Sequence, residues 1–361
     1  MTAPKLIMSP QQIAEDRDGW MEARRHTIGA SEIGILIGVA PPSHGNALSL
    51  YTEKITGKTV FDGARDDMER GQALEPYVQG RLLKLRPDLR LYPGGLYASA
   101  EYPWMTATFD ALAAMKDQAT DRAALLGTAW QLLHEPLRSE LAALLVPVEI
   151  KTAYTRDLDD GWGEPGTDEV PYQYKAQAYW QMAVWGSDTV IMPVQFMVPW
   201  RTVVYVLRRT EQAESDIKFM ITEALAFLDR LERRKPPAVD WTPFSTGALC
   251  TLNQFMPETV FRASPTTARA LRDAYKRMKD RERRYRLLQN RLIARAGGAQ
   301  RVVIEDPERP GKDVTVLSRS QYDLPWTDVE ALRAEEPETA ERFRRVTPVD
   351  KWSPGQRWMK L

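Results

Sequence analysis

The chain has 361 residues, 43% of them hydrophobic and 27% charged, with 49 Lys and Arg balanced by 49 Asp and Glu. Those fractions describe a soluble globular chain rather than a disordered one, and zero net charge means that attraction to a polyanion must come from local patches. A single cysteine, Cys250, excludes an intramolecular disulfide, a four-cysteine zinc site and an iron–sulfur cluster.

The first elements are helical. QQIAEDRDGWMEARR reads as one helix, with Trp20 expected to pack, followed by the turn-like HTIGAS and the apolar EIGILIGVA. PPSHGN at 41–46 breaks the chain, LSLYTEKITGK resumes a helical pattern, and 68–85 is amphipathic through Leu74, Val78, Leu82 and Leu83. In WMTATFDALA, Met105, Ala107, Phe109 and Ala111 alternate with Thr106, Thr108 and Asp110, the pattern of a strand. The Ala- and Leu-rich segment that follows, 115–146, reads as a helical insertion.

VPVEIKTAY is the next strand, on which Glu149 and Lys151 share one face and Ile150 takes the other. After the loop 161–171, YQYKAQAYWQMAVW forms a helix stopped by Gly186, with Trp180 and Trp185 expected in the core. DTVIMPVQF and WRTVVYVLRR read as strands and 211–233 as a helix. KPPAVDWTP, at 235–243, is the linker candidate, so the expected domains are 1–235 and 236–361. In the second, a basic helix spans 268–298, then a β-hairpin and a tail carrying a short helix, Trp352 and Trp358. From Arg262 to Arg295, 12 Lys and Arg face three acids, a local charge of +9. That helix reads equally as a tracker of phosphate backbone and as a solvated face opposite the stripe Leu271, Tyr275, Met278, Tyr285, Leu288 and Leu292.

His26, His44 and His134 stand at no metal-binding spacing, so a bound metal would be a hard cation on oxygen ligands. No apolar run approaches the length of a bilayer, and the first residues lack a charged region followed by an apolar one. A cytoplasmic protein without a membrane partner is expected. An acid ending one strand and an acid-x-Lys ending its neighbour are the minimal signature of metal-dependent phosphodiester hydrolysis, in which carboxylates hold the cation and a lysine serves the water or phosphate. Asp110 with Glu149-Ile150-Lys151 fits it. Alone, such a triplet is more often a solvated ion pair contributing about 0–1 kcal/mol.

Six pieces in order decide between these readings. They are Trp20…Arg24-Arg25-His-Thr-Ile-Gly-Ala-Ser31, Leu50-Tyr51-Thr-Glu-Lys-Ile-Thr-Gly57, Gly71-Gln-Ala-Leu-Glu75-Pro76, Thr108-Phe-Asp110, Glu149-Ile-Lys151-Thr152 and Val170-Pro-Tyr-Gln-Tyr174-Lys-Ala-Gln177. Together they resemble the YqaJ and lambda-exonuclease family of phage recombination nucleases, within the PD-(D/E)xK superfamily. The resemblance implies a restriction-endonuclease-like α/β fold, a mixed sheet flanked by helices, with a helical and β-hairpin C-terminal extension.

It also implies roles. Asp110, Glu149 and the Ile150 carbonyl would hold Mg²⁺, with Mn²⁺ the alternative, and Glu75 would stand near the metal. Lys151 would serve the attacking water and the developing charge rather than pair with Glu149. Gln177 and Tyr174 would prop the site. Arg24 and Ser31, with Arg25 beside them, would grip a terminal 5′-phosphate or nearby backbone. The implied activity is 5′→3′ exonuclease action on double-stranded DNA ends, leaving a 3′ strand for a single-strand annealing protein, by a ring-shaped homo-oligomer. An endonuclease or nickase on the same core, and a catalytically idle DNA-binding module, are the competing readings. The 38 residues between Asp110 and Glu149 exceed the family's usual short hairpin, leaving Asp117 and Asp121 as weaker alternatives to Asp110.

Overall fold

Capping side chains set the first boundaries. Strand β1 (Lys5–Met8) ends at Ser9, whose hydroxyl accepts from the Gln12 N–H while the Gln12 side chain accepts from the Ser9 N–H, opening α1 (Pro10–Glu15). Asp16 then accepts from the Gly19 N–H and opens α2 (Arg17–Arg25). The single helix expected across this stretch is therefore two, because a second cap lies inside the pattern. Next come β2 (Ile28–Gly29), α3 (Ala30–Leu36), α4 (Ala47–Thr56) and α5 (Arg65–Leu85). The long strands β3 (Leu89–Ala98) and β4 (Met105–Met115) pair along nearly their whole length.

After α6 (Glu135–Ala143) come β5 (Val146–Val148), β6 (Lys151–Thr155) and α7 (Tyr172–Trp185), the last ended by Gly186 at φ 79°, a conformation that favours glycine. Strands β7 (Thr189–Val198) and β8 (Arg201–Arg208), then helices α8 (Glu211–Glu232) and α9 (Pro243–Leu252), follow. This computed structural model describes residues 2–60, 65–116, 130, 133–155, 161–253, 260–305, 310–311 and 313–318. Most of the expected insertion and the tail with Trp352 and Trp358 lie outside them.

The chain divides into two compact units, Met1–Phe255 and Met256–Leu361. The first is a mixed eight-stranded sheet flanked by helices, as the α/β expectation has it. Asn46, the cap of α4, donates to Thr242 and Ser245 at the start of α9, which places α9 in this unit. The centre of the sheet sets up the site. β4 runs antiparallel to β5, and β7 runs parallel to both β5 and β6. Val148 pairs with Ile191 and Lys151 with Val194, the same offset, so β5 and β6 are two pieces of one strand line broken at Glu149 and Ile150.

One face of the sheet buries Val78 and Leu82 of α5 against Ala111, Ala113, Val148 and Ile150. The other holds the main core, in which Trp130, Trp180 and Trp185 are almost fully buried and the Trp185 N–H bonds the carbonyls of Ala142 and Leu145. Such a ring removes about 150–250 Å² from water, worth roughly 4–6 kcal/mol at about 25 cal/mol per Å².

In the second unit, α10 (Pro265–Ala296) is capped by Ser264, and β9 (Arg301–Glu305) and β10 (Asp313–Ser318) form the expected hairpin. No residue of α10 is buried. Leu271, Met278, Tyr285 and Leu288, expected to pack, are all at least half exposed. Among the described residues no helix is long and apolar enough to cross a membrane.

Candidate active site

The strand break brings the acids together. Asp110 stands opposite Glu149 in the continued β4–β5 register, so their side chains share a face. The ladder stops there, and the Ile150 N–H donates 2.7 Å to Asp110 Oδ2 instead of to a neighbouring strand. Ile150 is buried on the α5 side. Its side chain therefore anchors the break while its backbone serves the acids.

Glu149 is 3% exposed and intensively hydrogen-bonded. Oε1 accepts from Lys151 Nζ and Gln177 Nε2, each at 2.5 Å, and Oε2 accepts from Gln181 Nε2. A carboxylate has about four lone-pair positions, so roughly one remains for another partner. Lys151 thus does pair with Glu149, contrary to the expectation that it would not, because burial leaves the ammonium facing that carboxylate; it also lies 5.2 Å from the Tyr174 ring centre. Burial would lower the Lys151 pKa, but Glu149 and Asp110 outweigh it and hold the ammonium above its ordinary value. Burial pushes the Asp110 carboxyl well above the usual carboxylate range and Glu149 pushes it further, against Lys151 and the Ile150 N–H. Glu75, half-buried on α5, is raised by burial and by Glu149.

This crowd of carboxylates carries more negative charge than Lys151 offsets. Its donors are oxygens, which fits a hard divalent cation. Among the described residues no three His, Cys, Asp or Glu side chains close on one point. The fit therefore rests on Asp110, Glu149 and the Ile150 carbonyl, with Glu75 in an outer position.

A second polar cluster joins α2, α3 and α4. Arg24 Nη2 donates to Ser31 Oγ (2.9 Å) and Glu32 Oε1 (3.1 Å), and its guanidinium stacks on Trp20, 4.7 Å from the ring centre. The Trp20 indole is buried, with its N–H 3.4 Å from the Thr108 hydroxyl. A Cβ at Gly29 would sit 3.2 Å from Arg24 Nη2, a tight contact that would push on the guanidinium. Arg25 has a holding role as well. Its guanidinium caps the end of α4 by donating to the carbonyls of Lys54 and Ile55, and it pairs with Glu22, so it ties helices together.

A cavity of about 160 Å³ is lined by Trp20, Arg24, Ser31, Asp110, Glu149 and Gln177. A larger one of about 700 Å³ reaches Lys151 and Tyr174 as well as Arg24, Ser31, Glu32 and Lys54. Eight of the ten expected residues line one or both cavities, Arg25 among them; Ile150 and Glu75 line neither, Ile150 meeting Asp110 through its N–H and Glu75 lying within electrostatic reach of Glu149. Sequence reading missed Gln181, Glu32 and Lys54. Gln181 lies one turn beyond Gln177 on α7, and that i,i+4 pair of glutamines on a helix otherwise full of buried apolar residues was the signal. Lys54 similarly lies one turn past Leu50 on the buried face of α4.

Residues 19–188 match the model of a family described as the YqaJ-like viral recombinase domain. That span includes every residue of both clusters. No curated protein matches the chain. Among solved structures, it is similar to LHK-Exo in complex with dAMP, at 20% identity over 60% of this chain and 93% of that one, TM-score 0.41. It is also similar to an alkaline exonuclease (LHK-Exo) from Laribacter hongkongensis, at 19% identity over 60% and 96%, TM-score 0.39. A phage related exonuclease from Haemophilus somnus 129PT is similar at 15% identity over 58% and 96%, TM-score 0.36.

Proposed function

We propose that the chain is a Mg²⁺-dependent deoxyribonuclease of the PD-(D/E)xK type, acting as a 5′→3′ exonuclease on duplex ends. The observation that carries this reading is one cavity lined both by the acids of the strand break, Asp110 and Glu149, and by the Arg24–Ser31 pair. The recombinase domain supports the same reading.

Asp110, Glu149 and the Ile150 carbonyl would hold the cation, with Glu75 near it; when bound, it supplies a lowered water pKa and a countercharge to the phosphate. Gln177 and Gln181 fix the Glu149 carboxylate, so little reorganisation is needed as charge develops. Lys151, kept cationic by its carboxylate neighbours, would serve the attacking water and the charge developing on the phosphate. Tyr174 backs that ammonium with its ring face. Arg24 and Ser31 take the terminal 5′-phosphate, since a planar guanidinium is a fixed fork for phosphate oxygens and a hydroxyl adds a close donor. The product is a 3′ single strand, suited to an annealing protein in phage-type recombination. The protein would work in the bacterial cytoplasm as a ring-shaped homo-oligomer.

End-labelled linear duplex tests this reading. Mononucleotides released from the 5′ ends in Mg²⁺, with closed circles left intact, are the expected outcome. Cleavage of a covalently closed circle would show an endonuclease instead, and binding without hydrolysis would show an idle module.

A further inference from the structure

The unexplained feature beside Arg24 is an acid. Glu32 contacts the guanidinium at 3.1 Å, and an Arg–carboxylate pair of this kind competes with phosphate for the same donors. Lys54 changes that balance. Its side chain is 5% exposed, and its three N–H groups have three acceptors: Glu32 Oε1 (2.9 Å), Glu32 Oε2 (2.8 Å) and the Arg24 carbonyl (2.7 Å). Both oxygens of Glu32 are therefore satisfied by a buried ammonium. Arg24 spends only Nη2 on the cluster; among the described residues, Nε and Nη1 donate to nothing.

Three further acids line this end of the cavity, none bonded to Arg24. Glu22 pairs with Arg25 and His26, Glu53 accepts from the Val60 N–H, and Asp18 lies in the first turn of α2. Among the groups joined by direct bonds, Arg24 and Lys54 against Glu32 leave one positive charge; Glu53, whose carboxyl burial pushes above its ordinary pKa, faces this cluster without a direct bond to it.

We propose that Lys54 is a positioning residue for the phosphate grip: Glu32 competes with phosphate for Arg24, and Lys54 neutralises Glu32 so that the cluster keeps a net positive charge and the guanidinium a free edge for a terminal phosphate. The inference rests on the reading of Arg24 and Ser31 as that grip. It makes the two partners of one ion pair act with opposite signs, which a merely structural role would not produce.

The experiment compares hydrolysis of duplexes with 5′-phosphate and 5′-hydroxyl ends in Mg²⁺, for the parent, R24A, K54M, E32Q and K54M/E32Q, with thermal melting of each. K54M lowers the phosphate preference about tenfold, near the worth of one charge-assisted hydrogen bond. E32Q, whose amide oxygen can still accept from the Gly29 N–H, lowers KM for phosphorylated ends, and the double variant recovers most of the lost preference. Equal losses on both end types, or a double variant no better than K54M, overturn the inference. Where K54M does not fold, the sign of the E32Q effect decides alone, and a weaker grip in E32Q overturns it. A parent indifferent to the 5′-phosphate, or an R24A protein that keeps the preference, removes the phosphate reading and this inference with it. A preference lost in R24A yet unchanged in K54M removes only the inference.

Discussion

Two lysine–glutamate pairs reach the cavities: Lys54–Glu32 lines the larger, while Lys151–Glu149 at the strand break gives its lysine to the larger and its glutamate to the smaller. Each has a well-buried glutamate, and in each the lysine bonds a carboxylate oxygen directly. Their surroundings differ. The first pair shares its site with Asp110 and Glu75, so the surplus is negative. The second shares its site with Arg24, so the surplus is positive. A buried ion pair is seldom a large net gain in stability, since desolvation offsets most of the attraction. The comparison teaches that the uncompensated neighbour matters more than the pair: a carboxylate surplus suits a cation, and a guanidinium surplus suits a phosphate.

The largest expected effect breaks the negative side. Asp110→Asn should lower nuclease activity by at least ~10³, beyond the ~10²–10³ typical of one electrostatic donor, because it removes a cation ligand. The same change should raise stability when divalent ions are chelated. Asp110 titrates higher in the folded chain than in the unfolded one, so its charge costs stability above the folded pKa and the cost is relieved as pH falls through that value. The chelated variant should melt above the parent at pH 8, with the gap closing on acidification. A variant that melts at or below the parent at pH 8 would show that the charge is not strained there.

Lys151→Ala should cost about 10²-fold in kcat at matched Mg²⁺, the scale of one removed electrostatic contact in the transition state. A protein as active as the parent would place the chemistry elsewhere. Gln181→Leu should have a smaller effect, about 10-fold, as expected of a group that orients a metal-holding carboxylate. The loss should appear as weaker Mg²⁺ dependence of the rate at saturating DNA. The substitution takes one donor from buried Glu149 Oε2 but also removes the Gln181 Oε1 that has no partner among the described residues, so the melting temperature should fall only modestly. A large fall in melting temperature would make Gln181 structural. The charge-balance variants at Lys54 and Glu32 are the finest probe, testing the positive side by the sign of the change.

The helices show how far pattern reading reaches. α7 and α10 were both legible as helices, one from its dense apolar and aromatic content with Gly186 as a stop, the other from its heptad-like stripe. α7 lies in the core, with Trp180 and Trp185 almost fully buried. α10 buries nothing, although Leu271, Met278 and Tyr285 follow a packing period. Periodicity reports which residues share a face, and says nothing of what that face meets. The same limit explains α1 and α2: apolar spacing ran through Asp16, while the Asp16 side chain bonded the Gly19 N–H and began a new helix.

The sequence by itself determined the alternation that makes β4, the acid-x-Lys triplet, the helix carrying Tyr174 and Gln177, and the order in which these pieces occur. Those are local properties, set by residue type and spacing along the chain. Only the tertiary structure decided that the triplet straddles a break in its strand, because the break exists where β4 and β6 part and the Asp110 side chain takes the Ile150 N–H. It also decided that Arg25 caps α4 while Arg24 bonds Ser31, and that Lys54 reaches Glu32 across 22 residues of chain. Each of these turns on a partner distant in sequence, and a partner's position is a consequence of packing rather than of any local pattern.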